Sequence, residues 1–187
     1  MEVKVGISAR HVHVTKEDLE ILFGKGYELT IKCFLSQPGQ FASNEQVILK
    51  GPKNEIQRVR ILGPVRNKTQ VEIAKTDAVN LGLNPPVCLS GDLDNASEIT
   101  IIGPKGQITR NAAIIAARHI HVNTRDLKEL NLNNNDVISI EIDSIKGGIL
   151  NNVYVRTSDN YDTEIHLDTD DSNALLVTKD TVAKILK

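Results

Sequence analysis

The sequence predicts a mainly β protein built from two related β-domains, each a barrel or a sandwich. Short segments of alternating polar and apolar residues recur along the chain, and turn signals such as Gly51-Pro52 and Gly63-Pro64 separate them. Of the residues, 40% are hydrophobic but only 3% are aromatic, which suits small cores of branched aliphatic side chains. An internal repeat indicates that the β-domain occurs twice.

The repeat begins at residue 9 and again at residue 117. Ala9-Arg10-His11-Val12-His13-Val14, followed after three residues by Asp18-Leu19, recurs as Ala117-Arg118-His119-Ile120-His121-Val122 with Asp126-Leu127. Seven of these eleven positions are identical, and a weaker echo links Gly51-Pro52-Lys53 with Gly103-Pro104-Lys105. Each domain is therefore expected to be entered through a strand that ends in H-x-H and turns into a capped helix.

The strands are expected from alternation, and the helices from capping residues. Strands are expected over residues 3–14, within 46–75, and over 86–90, 98–102, 107–116, 136–143, 149–156 and 162–167. Residues 24–45, rich in Gly, Pro, Gln and Ser, predict a loop excursion with two short strands.

Three short helices are expected. Thr15 is placed to cap the first, with Asp18 positioned to reach back to the cap and Gly24 to end the helix. The second is expected from Thr76, its cap, to Leu83. The last segment, Thr178 to Lys187, predicts a C-terminal helix.

Composition excludes several classes of protein. With 22 basic and 24 acidic residues, the formal charge of -2 argues against binding nucleic acid through bulk positive charge. The two cysteines, Cys33 and Cys88, form no C-x-x-C pair, so a reducing, cytoplasmic compartment is expected. No apolar run approaches the roughly 18 residues of a membrane span. The N-terminus already alternates like a strand, so we expect no signal peptide and no membrane partner.

The histidines are the first candidates for chemistry. Residues i and i+2 of a strand face the same side about 6.6 Å apart, so His11 and His13 can converge on one ion. His119 and His121 repeat the arrangement. One isolated pair is more often a solvated polar face, but two pairs in the same frame favour metal binding.

The pattern alone leaves the third ligand of each pair open. Alternation would place the remaining histidine, His166, on one face with Asp168 and Asp170, where a carboxylate could orient its ring; a solvated acidic strand is the alternative. One pair could thus become a three-histidine site, and the other needs Asp, Glu or Cys. Glu72 is the best carboxylate candidate because it lies among apolar neighbours, although an outward-facing strand residue is the alternative. A three-ligand zinc site keeps an open position, as catalytic sites do.

Arg66 is the best anion-binding candidate. It follows the Gly63-Pro64 turn signal, and its fork could hold a phosphate or carboxylate with two hydrogen bonds. A solvated loop arginine is the alternative, as it is for Lys53 and Arg60. No P-loop, dinucleotide fingerprint or G-x-S-x-G elbow is present.

The motifs together resemble one known family, the PduL-type phosphate propanoyltransferases (phosphotransacylases). The resemblance covers nearly the whole chain and is carried, in order, by residues 7–13, 35–42, 62–66, 69–73, 90–93, 116–121 and 166–170. It implies two β-barrels with short capping α-helices and the active site between them. One barrel would hold residues 1–9 and 117–187, and the other residues 10–116.

The resemblance also implies the reaction and its residues. Acyl-CoA and phosphate would exchange with acyl phosphate and CoA, with two Zn²⁺ per chain in a homodimer. One zinc would take His11, His13 and Glu72, and the other His119, His121 and His166. Arg66 would bind phosphate and serve catalysis. Coenzyme A contacts map onto Ser8, Ala9, Arg10, Lys53, Arg60 and Asn173.

The sequence departs from the family pattern in two places. It has Asp171-Ser172-Asn173 where the family commonly has Glu-Ala-Asn. It also begins almost at the first motif, whereas microcompartment-associated members carry a targeting extension before that motif. We therefore expect either a free cytoplasmic enzyme or a chain trimmed of that extension. Two competing functions remain: a dizinc hydrolase of a thioester or phosphate ester, and a non-enzymatic metal-dependent scaffold.

Overall fold

The computed structural model describes residues 2–186, which form two compact units. The terminal unit comprises the residues up to Ala9 together with those from Ala117 onward, and the central unit comprises Arg10–Ala116. Across residues 2–186, no helix has the length and apolar character needed to cross a membrane.

Strands dominate both units. They are β1 (Glu2–Ser8), β2 (His11–His13), β3 (Ile31–Phe34), β4 (Phe41–Lys50), β5 (Glu55–Gly63), β6 (Gln70–Glu72), β7 (Val87–Cys88), β8 (Ser97–Ile102), β9 (Gln107–Ala116), β10 (His119–Asn123), β11 (Val137–Ile142), β12 (Gly148–Ser158), β13 (Glu164–Asp168) and β14 (Val182–Leu186). The helices are short: α1 (Lys16–Phe23), α2 (Lys75–Leu81), α3 (Leu127–Leu130), which follows a 3₁₀ turn at Thr124–Asp126, and α4 (Thr169–Ala174).

Each unit closes a six-stranded barrel, and the two barrels have the same strand order. In the central unit the order is β4–β5–β2–β6–β9–β8, with β8 returning to β4. In the terminal unit it is β11–β12–β10–β13–β1–β14, with β14 returning to β11. Strand β3 extends a hairpin from β4, and β7 adds to β9. The predicted fold of two β-barrels with short helices is confirmed.

The structure extends the repeat from eleven residues to the whole barrel. His11 lies opposite Glu72 on the antiparallel pair β2–β6, and His119 lies opposite His166 on β10–β13. His119 comes 108 residues after His11, and His166 comes 94 residues after Glu72. Strands β5 and β12 are also 94 residues apart, because Arg60 lies beside His11 and Tyr154 lies beside His119. Strand β9 pairs with β6 as β1 pairs with β13. The chain therefore consists of two equivalent halves that meet between β8 and β9. The first strand of each half, β1 or β9, lies in the barrel that the other half mainly forms.

Aliphatic cores explain why the histidines lie side by side. Val12 is fully buried in the central core, and Ile120 is fully buried in the terminal core. Because successive strand residues point to opposite faces, burying Val12 turns His11 and His13 together to the other face of β2. Burying Ile120 does the same for the second pair.

Helix α1 begins as predicted, but one predicted contact is wrong. The Thr15 side chain accepts a hydrogen bond from the Asp18 backbone N–H at 3.1 Å. The Asp18 carboxylate does not reach back to the cap, because the Thr15 N–H donates to Thr69 Oγ1 instead. Asp18 accepts from Thr69 Oγ1 at 2.5 Å and from Arg110 at 2.7 Å.

Two equivalent turns explain why Gly-Pro-Lys occurs at both residues 51–53 and residues 103–105. The Lys53 N–H donates to the Leu81 carbonyl at the end of α2, and the Lys105 N–H donates to the Leu22 carbonyl near the end of α1. A Cβ on the glycine that begins each turn would lie only 2.3 Å from the Leu81 oxygen or 2.5 Å from the Leu22 oxygen. The glycines are therefore required by close approach, and each turn satisfies a helix-terminal carbonyl.

Two predicted helices differ in the structure. Helix α2 begins after Ala74 rather than Thr76, because the Asp77 carboxylate accepts the Ala74 N–H at 3.4 Å. The predicted C-terminal helix is wrong: residues 182–186 form β14, which pairs with β1 and β11 to close the terminal barrel. Apolar residues at 182, 185 and 186 match a helical period, but barrel pairing overrides it. Lys187 lies outside the described residues.

Candidate metal centres

Three side chains with metal-binding chemistry meet in the central unit. One ligand atom from each of His11, His13 and Glu72 lies within 4.8 Å of the others, and all three residues are buried. The two rings on β2 have centroids 5.0 Å apart, and Glu72 Oε2 on β6 lies 3.6 Å from His11 Nε2. We call this group the central centre.

The protonation of the central centre fits a divalent cation. Burial, together with the nearby His11 and Arg66, lowers the pKa of His13 to about 2, so its ring is neutral. One ring nitrogen of His13 bonds the Leu62 carbonyl, while the buried Nδ1 has no hydrogen-bond partner within residues 2–186. Such an orphaned buried nitrogen is costly unless a ligand satisfies it.

Glu72 is ionised beside these rings. Burial raises the pKa of its carboxyl, but His11, followed by His13 and a hydrogen bond from Ser90, lowers it by more, so the pKa lies well below its usual range. A neutral His13 ring and an ionised Glu72 carboxylate are in the forms that bind zinc. The residues present therefore fit the metal that the sequence predicted.

A polar network ties Arg66 to the central centre. Gln70 Nε2 donates to Glu72 Oε1 at 2.6 Å and to Ser90 Oγ at 2.8 Å, and the Gly91 N–H donates to Gln70 Oε1 at 2.7 Å. The half-buried Arg66 guanidinium donates to the same Ser90 hydroxyl at 3.4 Å. Sequence reasoning missed Gln70 and Ser90. Alternation along β6 could have found Gln70, which shares a strand face with Glu72.

A second group, the terminal centre, has the same construction in the other unit. Ligand atoms of His119, His121 and His166 lie within 4.8 Å of one another, and the three ring centroids are 4.6–5.0 Å apart. His119 Nδ1 donates to the Ala117 carbonyl at 2.9 Å, which leaves Nε2 as its lone-pair nitrogen. The His121 ring also stacks on Tyr161, with centroids 4.1 Å apart.

The acidic residue beside His166 is not one that alternation suggested. Strand β13 ends at Asp168, whose carboxylate accepts the Asp171 N–H at 2.9 Å and caps α4. Asp170 is already helical, so the predicted shared face of the three residues is wrong. Glu164, two residues before His166 on β13, places Oε2 at 3.5 Å from His166 Nε2. Sequence reasoning missed Glu164.

The arginines of the repeated motif have equivalent partners. Arg10 bonds Asp77 in the first turn of α2. Arg118 bonds Asp171 in the first turn of α4 through Nε and Nη2, each at 2.7 Å. The hydrogen bonds that Arg118 donates to the Asp171 carboxylate raise the pKa of Arg118. Each arginine therefore anchors the helix that follows the third residue of its centre.

The five predicted coenzyme A contacts other than Arg10 are distributed over both units. Ser8 is half-buried at the end of β1, and Ala9 and Asn173 are exposed, all in the terminal unit. In the central unit, Lys53 is exposed with its methylene groups over Gly82, and the half-buried Arg60 donates to the Ser43 carbonyl.

The two barrels share one strand order, and each carries a three-residue ligand group, with two histidines on its H-x-H strand and the third residue on the antiparallel neighbour. These features define a duplicated β-barrel protein with two candidate metal centres. Residues 4–178 match the phosphate propanoyltransferase family. Similar proteins named phosphate propanoyltransferase occur in Rhodopseudomonas palustris (42% identity, 100% of this chain and 83% of the relative), Thermotoga maritima (44%, 98% and 88%) and Priestia megaterium (47%, 96% and 83%). The chain belongs to the phosphate propanoyltransferase family and is an enzyme of the phosphate acyltransferase class, which confirms the resemblance.

Proposed function

We propose that this chain exchanges a short acyl group between coenzyme A and inorganic phosphate, using two zinc ions per chain. The observation that carries this proposal is the pair of three-residue centres at equivalent positions of two barrels in a member of this family. His11, His13 and Glu72 would hold one ion, and His119, His121 and His166 the other. When bound, zinc supplies Lewis-acid stabilisation of a thiolate sulfur or a phosphate oxygen.

Arg66 is proposed to bind and orient phosphate. Its fork can donate two parallel hydrogen bonds to phosphate oxygens. The hydroxyl of Ser90, itself held by Gln70, steadies the guanidinium. Because Gln70 also holds Glu72, the phosphate-binding arginine and the central centre share one support.

Coenzyme A is proposed to contact Ser8, Ala9, Arg10, Lys53, Arg60 and Asn173. The exposed Lys53 offers a cation for the phosphates of the nucleotide portion. Arg10 and Arg60 already bond Asp77 and the Ser43 carbonyl, which holds their guanidinium groups in place.

We propose direct transfer without an acyl-enzyme. A phosphate oxygen forms a bond to the acyl carbon as the carbon–sulfur bond breaks and the electron pair leaves on sulfur. Burial raises the pKa of the Cys88 thiol, with smaller contributions from Asp92 and Glu72. The Cys88 thiol therefore stays protonated and is a poor nucleophile.

The deciding experiment is a thiol-release assay with acetyl-CoA and propionyl-CoA, with and without phosphate, combined with metal analysis. We expect release that requires phosphate, and two zinc ions per chain. Full activity after exhaustive chelation would refute the zinc assignment, and release without phosphate would favour the hydrolase. Parallel initial-velocity lines would contradict direct transfer.

The proposal includes a homodimer in the cytoplasm. Strand β3 exposes Ile31 and Phe34, which gives a second copy apolar surface to cover. Both cysteines are free, which fits a reducing compartment. Light scattering of the purified chain tests the dimer.

A further inference from the structure

The two centres differ in the position of their carboxylate. In the central unit the opposed residues of β2 and β6 are His11 with Glu72 and His13 with Gln70. In the terminal unit the opposed residues of β10 and β13 are His119 with His166 and His121 with Glu164. Glu164 therefore occupies the place of Gln70. The carboxylate has moved two residues along the strand, and each set of four still contains one.

The distances around Glu164 resemble those around Glu72. Its Oε2 lies 3.5 Å from His166 Nε2, as Glu72 Oε2 lies 3.6 Å from His11 Nε2. Two ligand atoms about 2.0–2.1 Å from a tetrahedral zinc lie roughly 3.4 Å apart. Both separations are near that value and longer than a good hydrogen bond.

A glycine makes room for this carboxylate. Gly6 lies beside His166 on the parallel pair β1–β13, and a Cβ there would lie 3.0 Å from Glu164 Cδ and 3.2 and 3.3 Å from its two oxygens. The equivalent residue of the central barrel is Ile114, which lies beside Glu72. The terminal barrel thus lacks a side chain where the central barrel has one, and the Glu164 carboxylate lies against that space.

We propose that Glu164 belongs to the terminal metal centre and supplies the negative charge that Glu72 supplies to the central one. This inference rests on the proposed function, in which both centres bind a divalent cation. Without Glu164, three imidazoles would form the terminal centre with no anionic side chain among them. A carboxylate that is 86% buried beside the cation interacts with it more strongly than one in water.

The test is equilibrium binding of Zn²⁺, and of Co²⁺ followed by its absorption, to metal-free full-length protein. Glu164→Gln keeps the side-chain shape and removes the charge. We expect one of two binding constants to weaken by about 10–100-fold, while the other stays unchanged. Glu129→Gln is the matched control, because it makes the same charge change at an exposed residue of α3 and should bind both ions normally. Circular dichroism verifies that each variant folds.

A second variant separates the carboxylate from general damage to the barrel. Gly6→Ala should displace the Glu164 carboxylate and weaken the same binding constant, but add nothing in the Glu164→Gln background. An additional loss of equal size there would contradict the inference. Two ions bound by Glu164→Gln with unchanged constants would overturn the inference alone. Wild-type protein that binds neither ion would overturn it together with the proposed function.

Discussion

Replacing Asp18 by alanine tests how the central barrel holds the start of α1. The residue is 4% exposed, and its carboxylate accepts hydrogen bonds from Thr69 Oγ1 at 2.5 Å and Arg110 Nη2 at 2.7 Å. The Thr69 oxygen in turn accepts the Thr15 N–H. The change therefore removes the carboxylate that joins the N-terminus of α1 to Thr69, the residue before β6.

The expected loss follows from these contacts. A hydrogen bond to a buried charged group is worth about 1.5–3 kcal/mol. The Arg110 side chain is 45% exposed, so solvent screening limits its pair to about 0–1 kcal/mol. The sum is a loss of about 1.5–4 kcal/mol in unfolding free energy. For a chain of this length, that lowers Tm by about 10 °C.

Urea unfolding followed by circular dichroism measures the loss, with Asp126→Ala as the matched control. Asp126 is the repeat equivalent, with one hydrogen bond from Thr163 at 2.6 Å and a side chain 30% exposed, so about half the loss is expected. Losses of equal size, or a loss below about 1 kcal/mol for Asp18→Ala, would refute the reasoning.

Three further predictions concern other parts of the chain. Gly51→Ala should cost about 1–3 kcal/mol of unfolding free energy, because its Cβ would lie 2.3 Å from the Leu81 carbonyl oxygen. Gly148→Ala, whose nearest contact is 3.5 Å, should cost far less, and equal urea midpoints would contradict this. Burial raises the pKa of Glu45, but hydrogen bonds from Thr30 and Tyr27 lower it by more. The stability it adds over Glu45→Gln is therefore full above about pH 4.3, the unfolded value, and declines as pH falls below it; a pH-independent difference in urea unfolding would argue against this. Arg66→Gln should raise KM for phosphate at least about tenfold by removing a bidentate donor, whereas the exposed Lys68→Gln should not; equal KM values would exclude Arg66 from phosphate binding.

Much of the fold follows from local pattern, because alternation in a strand is a short-range property. The pairing of His11 with His13 on one face needs only the burial of Val12 between them. Whether residues 182–186 form a strand or a helix depends instead on pairing with β1 and β11, which lie far away in sequence. Their spacing fits a helix, so no local pattern could have predicted the strand that closes the barrel.

The candidate metal centres likewise combine features that a local pattern predicts with features that depend on contacts distant in sequence. Glu72 was identifiable as a charge among apolar neighbours, but its support by Gln70 and Ser90 depends on the register of β2 against β6 and on a distant loop. Asp170 does not share the strand face of His166 because β13 ends at Asp168 and α4 begins at Thr169, and the Asp168 carboxylate accepts a backbone N–H of that helix. Glu164 emerges only when the two barrels are compared residue by residue.

The exchange of first strands has a consequence for how the chain can be divided. A cut in the Gly103–Gly106 turn would leave five strands of the central barrel with one strand of the terminal barrel on the first fragment, and the reverse on the second. Neither fragment therefore contains all six strands of either barrel as the structure pairs them. Each fragment nevertheless carries one strand for each of the six equivalent positions in a barrel. The single chain thus has the connectivity of two half-length chains that swap their first strands and are covalently joined at that turn.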